Sequence, residues 1–258
     1  MSNSRLILAN KVFDNGTILN GTGGGTPALE ETAPYVMTNA MTAGRRTKWQ
    51  TSAAPASPLT FDVDLGAARA VGCAAVCGLR SDSGVIMGSC DVQWGASATG
   101  AWTTLDSVAI TGSPRDAGVV FTGGSVTKRY WRFNFTFAGT GGFSLSSLWL
   151  GALTDLGGMH SPDAETSPFQ NRAESQVSDG SYLINTLGDK GHDFTLPFNV
   201  ASASLRTTMQ AISDLSGSFV YIDPDGNFYE VIARGGRVTT RRSHATIYAL
   251  GVELARLP

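Results

Sequence analysis

The largest group of cationic side chains in this sequence lies near its C-terminal end and comprises Arg234, Arg237, Arg241 and Arg242. His244 follows this group, and Gly235-Gly236 interrupts it. Guanidinium forks pair with carboxylates, so the arginines are a candidate contact between subunits, with the acidic stretch at 163–174 as the candidate counterpart. A solvated loop, which the two glycines favour, is the alternative interpretation.

A second basic group stands beside an aromatic residue and comprises Arg45, Arg46 and Lys48, followed by Trp49. Aromatic faces combined with charged donors suit sugar recognition, so the three cations form a candidate glycan patch. The alternative is structural: Trp49 fills the core and the cations surround its rim. The residue types allow either interpretation.

The sequence offers little to a metal ion or to catalysis. Asp223, Asp225 and Asn227 alternate as in the first half of a calcium loop, but Arg234 stands where an EF-type loop needs its final Glu. A plain hairpin turn is the better account of this segment. The three histidines are far apart, no nucleophile-elbow or zinc-protease motif occurs, and no two carboxylates stand out as a glycosidase pair. We therefore predict no catalytic residue, no metal, no cofactor and no enzymatic activity.

Composition narrows the classes of partner. A formal net charge of −2 argues against electrostatic nucleic-acid binding. No segment approaches the roughly 18 apolar residues of a membrane span, and the apolar run at Leu6–Ala9 is too short for a secretory signal. We therefore expect no membrane insertion. We also expect the protein to assemble in the cytosol. Cys73, Cys77 and Cys90 are predicted to be small buried hydrophobic residues.

Period-two alternation predicts the strands of the N-terminal half. Leu59 to Leu65 places its apolar residues on one face, with Asp62 and Asp64 expected to point to solvent. Val71 to Leu79 is almost continuously apolar, which predicts a central strand covered on both faces. Arg129 to Phe137 alternates aromatic residues and gives a heavily aromatic face for a core.

The C-terminal half follows a different pattern. The stretch at 153–170 carries glycines, prolines and acidic residues without apolar periodicity, which predicts a linker or a loop crossing to a neighbouring subunit. A helix is predicted from the spacing of its apolar residues, with Gly217 closing its end. A strand, a tight turn at Asp223 to Gly226 and further strands follow. The apolar stripe of the helix comprises Leu205, Met209, Ile212 and Leu215.

The order of motifs in the first half resembles a discoidin-type, galactose-binding-like jelly roll. The motifs that carry the resemblance are Arg45 to Trp49, Asp62 to Gly66, Asp91 to Trp94, Trp102 to Leu105, Arg129 to Phe133 and Leu145 to Gly151. The resemblance covers about residues 5–152. The terminal disulfide of that family has no counterpart here, and its ligand-contacting loop residues vary too widely to be carried over.

The second half resembles the sheet-plus-helix β-sandwich of bacteriophage tail-tube and distal-tail proteins, through its element order and the segment Gly217 to Pro224. We therefore expect an all-β fold: a discoidin-like jelly roll at 1–152, a linker or crossing loop at 153–170, and a small β-sandwich with one α-helix at 171–258. The resemblances imply a structural component of a phage tail tip or baseplate, located in the virion. It would join copies of itself through the C-terminal domain. Its other partners would be further tail proteins and possible host surface glycans. The alternative is a carbohydrate-binding module that attaches to surface glycans, and a glycan-cleaving enzyme is a third hypothesis.

Overall fold

The computed structural model describes residues 5–20, 33–41, 48–51, 55–82, 84–112, 115–156, 165–176, 182–201, 203–215, 217–242 and 248–256. Its helices are α1 (Lys11–Asn15), a 3-10 helix (Met37–Met41) and α2 (Ala203–Ser213). Its strands are β1 (Arg5–Ile7), β2 (Thr17–Asn20), β3 (Trp49–Gln50), β4 (Leu59–Val71), β5 (Cys73–Cys77), β6 (Arg80–Ser81), β7 (Val85–Gly95), β8 (Trp102–Ala109), β9 (Asp116–Val120), β10 (Val126–Gly139), β11 (Phe143–Leu145), β12 (Ser147–Gly151), β13 (Thr154–Asp155), β14 (Glu165–Gln176), β15 (Tyr182–Ala201), β16 (Phe219–Ile222), β17 (Phe228–Arg242) and β18 (Tyr248–Arg256).

The chain forms two compact units that interleave along the sequence. The first unit contains Arg5–Asp155 together with Phe219–Glu230, and the second contains Leu156–Ser218 together with Val231–Pro258. The predicted second domain was continuous from 171 to 258, whereas here its hairpin groups with the first unit. The hairpin does so because its apolar side chains fill a core of that unit. The domain boundaries proposed from the sequence stay a prediction.

The main layer of the first unit is a five-stranded antiparallel sheet in the order β2-β4-β10-β7-β8. Phe133 of β10 lies opposite Phe61 of β4 and Val92 of β7, and all three side chains are buried in the main core. Trp131 stacks on Phe121, with ring centroids 5.9 Å apart and planes 11° apart. The predicted aromatic face of β10 is therefore confirmed as a core face.

A second sheet, in the order β12-β5-β9, is apolar on both faces. Ala74 and Val76 of its central strand β5 belong to the main core. Cys73, Ala75 and Cys77 alternate with them and belong to a separate core on the opposite face. The prediction of a central strand covered on both faces is confirmed, and so is the burial of the cysteines, all three of which are free thiols.

The separate core is closed by strands from both ends of the unit. β1 pairs with β13 on one side and with β16 on the other, and Ile7, Val220 and Ile222 pack into this core with Trp149. We call the set β13, β1 and β16 with Phe228 the third layer. Phe228 lies against Gly118 of β9, where an added Cβ would overlap its ring and come 2.7 Å from the carbonyl oxygen of Ala74. Glycine at 118 therefore permits the close approach of the third layer.

The second unit contains the antiparallel strand order β17-β18-β15-β14. Helix α2 lies against β18 and buries Leu205, Met209 and Ile212, as predicted. The helix ends at Ser213, however, so Leu215 lies beyond it and is 36% exposed. A stripe of apolar residues therefore predicts which face of a helix is buried more reliably than it predicts where the helix ends.

The segment predicted as a linker contains the start of a strand. β14 begins at Glu165 and pairs with β15 from Glu165↔Thr195 to Gln176↔Tyr182. The predicted linker at 153–170 thus contains β13 and the start of β14, because hydrogen bonding to a neighbouring strand outweighs a weak local strand preference. Its role as a domain boundary stays a prediction. The predicted all-β class, with a jelly-roll-type sandwich first and one helix among the described residues of the second unit, is confirmed.

Candidate functional site

The arginines predicted as an inter-subunit contact lie in a strand. Arg234, Arg237, Arg241 and Arg242 all fall within β17. Arg241 lies opposite Ala249 and Arg242 opposite Tyr248, and a register irregularity between Ala233 and Val238 accommodates Gly235-Gly236. The glycines therefore lie in an irregular stretch of a paired strand, where 234–237 have no register partner on β18, and the loop alternative stays open. The inter-subunit role stays a prediction.

The candidate glycan patch lies only partly within the described residues. Arg45 and Arg46 lie outside them. The Nζ of Lys48 lies 4.8 Å from the ring centroid of Tyr35. The backbone carbonyl oxygen of Lys48 accepts a 2.8 Å hydrogen bond from Asn39 Nδ2. Trp49 is fully buried, so the structural interpretation of this Trp is confirmed. The patch itself stays a prediction.

The carboxylate of Asp223 is committed to its own turn. It accepts hydrogen bonds from the backbone N–H and the Nδ2 of Asn227, both at 2.8 Å, and from the hydroxyl of Tyr229 at 3.2 Å. Gly226 has φ +89° and donates to the carbonyl oxygen of Asp223. The hairpin-turn interpretation is confirmed, and Asp223 is not available as the first ligand of a calcium loop without breaking that turn.

Two acidic residues expected in solvent form ion pairs across the five-stranded sheet. Asp62 is 1% exposed and pairs with Arg132, whose guanidinium carbon lies 4.3 Å from the ring centroid of Trp102. Asp64 pairs with the exposed Arg129 at 2.7 Å. Alternation predicts which face Asp62 occupies, but not that Arg132 of β10 lies directly opposite and holds it. The solvent expectation is therefore wrong for Asp62.

A pocket of about 410 Å³ lies at one edge of the first unit, where loops meet the third layer. We call it the edge pocket. The side chains and backbone that line it come from four separate stretches of the chain. They are Arg5, Gly72, Val120, Phe121, Thr122, Gly124, Ser125, Ala152, Leu153 and Asp155.

Backbone hydrogen bonds hold the frame of the edge pocket. The amide of Gly72 donates to the carbonyl of Gly151 at 2.9 Å, and its carbonyl accepts from the amide of Phe121 at 3.0 Å. The following turn closes through a 3.0 Å bond from Gly124 N–H to the Phe121 carbonyl. Gly124 has φ +82°, a conformation that favours glycine. The pocket is therefore shaped by paired backbone rather than by flexible side chains.

The lining of the edge pocket is apolar at its base and polar at its rim. Phe121 is 3% exposed and Leu153 is half-buried, while Thr122, Ser125 and Asp155 are exposed. Arg5 is half-buried, and its guanidinium has no hydrogen-bond or ion-pair partner within the described part of the chain. Such a lining suits a small polar ligand with an apolar face.

Sequence reasoning missed the edge pocket. Its residues lie at 5, 72, 120–125 and 152–155, and no one segment carries a motif. The only local signal is the turn at Gly123-Gly124, which marks a loop but not a ligand. Knowledge that β1 joins the edge of the unit was needed to place Arg5 beside that loop.

Outside the edge pocket, the described residues offer few other features of a functional site. They contain no cluster of three or more His, Cys, Asp or Glu side chains placed to hold a metal ion. None of the helices in the described ranges is long and apolar enough to cross a membrane. The edge pocket is therefore the site from which we argue a function.

Comparison with known proteins gives similarity only at the level of structure. No protein-family model matches the sequence, and no curated protein matches it. Chitosan-binding module 1 from a chitosanase/glucanase of Paenibacillus sp. IK-5 is similar at 21% identity and TM-score 0.43, over 55% of this chain and 98% of that chain.

Two modules from Clostridium perfringens are similar at a comparable level. The family 32 carbohydrate-binding module of NanJ, in complex with galactose, has 17% identity and TM-score 0.42, over 58% of this chain and 99% of that one. Module CBM32-1 of a family 31 glycoside hydrolase has 10% identity and TM-score 0.42, over 54% and 98%. These values are too low to assign a ligand to this chain.

Proposed function

We propose that the first unit is a carbohydrate-binding module and that the edge pocket is its ligand site. The observation that supports this is the lining of the pocket, which joins an apolar base to a polar rim. Sugar rings present an apolar face of C–H groups and an edge of hydroxyl groups. Both kinds of surface have a complement among the residues of the pocket.

The apolar base can receive the C–H face of a sugar ring. Val120, Phe121 and Leu153 form this part of the lining. The rim supplies hydrogen-bonding groups, with the hydroxyls of Thr122 and Ser125 able to donate or accept. A pocket of about 410 Å³ falls within the usual size of small-ligand sites. That volume suits a short saccharide rather than a folded partner.

The rigid frame supports the same proposal. The backbone bonds that join Gly72 to Gly151 and to Phe121 fix three segments of the pocket wall. A ligand that enters a preformed wall orders few groups on binding, which lowers the entropic cost of association.

The test is a glycan array followed by titration calorimetry with the full chain. Ala152 is exposed and lines the edge pocket, so Ala152→Phe places an aromatic ring at its mouth. Ala101→Phe makes the same change at an exposed residue that does not line the pocket. We expect the wild-type chain and Ala101→Phe to bind a glycan, and Ala152→Phe to lose at least about tenfold in affinity.

Two results would contradict the proposal. If no glycan binds the wild-type chain, the module does not recognise carbohydrate. If a glycan binds equally well to Ala152→Phe and Ala101→Phe, the ligand site lies elsewhere on the chain, and Arg45, Arg46 and Lys48 become the next positions to change. Circular dichroism of both variants establishes that each is folded before titration.

The structural role in a phage tail tip or baseplate, its virion location and its self-association through the second unit stay predictions. Non-enzymatic function also stays a prediction. Light scattering across a range of concentrations measures self-association directly. A discrete oligomer that Arg241→Glu with Arg242→Glu disperses would support the role predicted for the β17 arginines, and a monomer at all concentrations would count against it.

A further inference from the structure

We infer that the edge pocket prefers acidic saccharides, with Arg5 binding the carboxylate of a uronic-acid-type sugar. This inference rests on the proposed function and adds the chemical class of the ligand. Three features of the pocket support it. They are the state of the Arg5 side chain, the placement of Asp155, and the turn at 121–125.

Arg5 has a backbone held by two strands and a guanidinium without a partner among the described residues. It lies in β1, with Asp155 as its register partner on one side and Ile222 on the other, so its backbone is held by two neighbouring strands. The side chain is half-buried and lacks a counterion within the described residues. A guanidinium that has lost part of its hydration gains more from an anionic ligand than from a neutral one, because charge-assisted hydrogen bonds are the stronger kind.

Asp155 does not fill this role in the described structure. It lies opposite Arg5 in register, yet no ion pair joins the two side chains within the described residues. Asp155 is exposed and has an interaction of its own. The pocket therefore has the half-buried guanidinium of Arg5 on one side and the exposed carboxylate of Asp155 on the side of the solvent. Since Asp155 is a like charge for an acidic ligand, its removal should improve the binding of such a ligand.

The turn opposite Arg5 adds donors without adding negative charge. Thr122, Gly124 and Ser125 line the pocket, and Gly124 stands at positive φ. The amide of Gly124 is bonded to the carbonyl oxygen of Phe121, so the groups that this turn offers to a ligand are the hydroxyls of Thr122 and Ser125. The two hydroxyls remain free to bind ring hydroxyls of the same sugar. The loop thus complements the hydroxyls of a uronic acid, and Arg5 complements its carboxylate.

The experiment compares matched sugars that differ only in a carboxylate at C6. D-glucuronate is measured against D-glucose, and D-galacturonate against D-galactose, by titration calorimetry with the full chain at low salt. We expect each acid to bind about tenfold more tightly than its neutral partner. The difference should shrink at about 0.15 M salt, where the Debye length falls to about 8 Å and the attraction between Arg5 and the carboxylate is partly screened.

Variants assign the preference to Arg5. Arg5→Gln should remove the difference between acid and neutral sugar, and Arg5→Lys should keep part of it. Arg80→Gln removes an exposed arginine outside the pocket and should leave the difference unchanged. Asp155→Asn should tighten the binding of the acid and leave the neutral sugar unaffected.

The outcomes separate the inference from the proposed function. Equal binding of acid and neutral sugar, or a preference for the neutral sugar, would overturn the inference and leave the carbohydrate-binding function standing. An acid preference that survives in Arg5→Gln would also overturn it. A failure of all four sugars and of the glycan array would overturn the proposed function itself. The salt dependence of the wild-type chain tests the inference even if an Arg5 variant fails to fold.

Discussion

Arg132 and Asp62 form a two-point ion pair in which Nε donates to Oδ1 at 2.5 Å and Nη2 donates to Oδ2 at 2.7 Å. The pair lies on the face of the five-stranded sheet that points away from the main core. Trp102 lies over the guanidinium, and its indole crosses Gly95, where a Cβ would come within 3.2 Å of the ring. A glycine in β7 therefore makes room for the aromatic cover of a buried pair.

We expect Asp62→Ala to lower the free energy of unfolding by about 3–5 kcal/mol, because it leaves the Arg132 guanidinium buried without a partner. Urea denaturation at neutral pH measures the change. The double variant Asp62→Leu with Arg132→Met removes both charges and should recover most of the loss. A cost below about 1 kcal/mol for Asp62→Ala would show that water reaches the pair.

The exposed pair of Asp64 and Arg129 should give a pH-dependent contribution. The hydrogen bonds from Arg129 lower the pKa of Asp64. A carboxylate with a lowered folded-state pKa stabilises the fold above its unfolded pKa, about 3.9 for Asp, and the stabilisation is lost as pH falls through the folded value. The wild type should thus exceed Asp64→Asn in unfolding free energy by a constant amount around neutral pH. This difference should become smaller as the solution is made acidic.

Urea midpoints measured from pH 7 to strongly acidic pH provide the check on Asp64. Asp82→Asn is the matched control, since it removes an exposed carboxylate that has no ion pair in the described structure. A gap for Asp64→Asn that widens toward acid would contradict the assigned sign.

Gly118→Ala should destabilise the first unit by about 1–3 kcal/mol, the usual cost of overpacking. The added Cβ would overlap the ring of Phe228 and approach the carbonyl oxygen of Ala74. Gly72→Ala is the matched control, because its Cβ would meet Leu153 at ordinary contact distances of 3.8–3.9 Å. Thermal unfolding compares the two. Similar melting temperatures would show that the third layer does not approach β9 as closely as described.

Cysteine labelling should report the third layer separately from the main core. Cys73 is buried, which raises the pKa of its thiol to about 12, and the pKa of Cys90 is raised as well. Both thiols should react slowly in the native chain at pH 8. Phe228→Ala should speed the labelling of Cys73 and Cys77, which share a core with Phe228, by at least about tenfold relative to Cys90, which lies in the main core.

Mass spectrometry of peptides after timed alkylation distinguishes the three thiols. If Phe228→Ala accelerates all three equally, the variant unfolds as a whole and the two cores are not separable. If none accelerates, Phe228 does not seal the core that contains Cys73.

The elements that alternate strongly were predictable from the sequence, and the cross-strand partners were not. The apolar face of Leu59 to Leu65 was evident because hydrophobic periodicity reflects burial directly. Asp62 was misjudged because its partner Arg132 is fixed by strand register, which is a tertiary property. β16 occupies the position of the strand predicted before the turn at Asp223 to Gly226, yet nothing in its sequence indicates that β1 would be its neighbour.

The candidate site was less predictable than the fold for the same reason. Arg5, Phe121 and Asp155 meet only because β1 and β13 join the edge of the first unit. The arginines of β17 and Lys48, which belong to the basic clusters predicted from the sequence, do not line the edge pocket. Local charge density points to exposed groups, whereas a pocket depends on which distant segments the fold brings together.

The interleaving of the two units has a consequence for modular transfer. A contiguous gene fragment ending near Asp155 would encode the five-stranded sheet but omit β16 and Phe228, which belong to the first unit. Such a fragment would leave Ile7, Trp149 and the Cys73 face of β5 uncovered. Recombination that moves the first unit to another protein must therefore transfer two separate segments of the gene or the entire chain. The inheritance of the first unit is thus tied to that of the second.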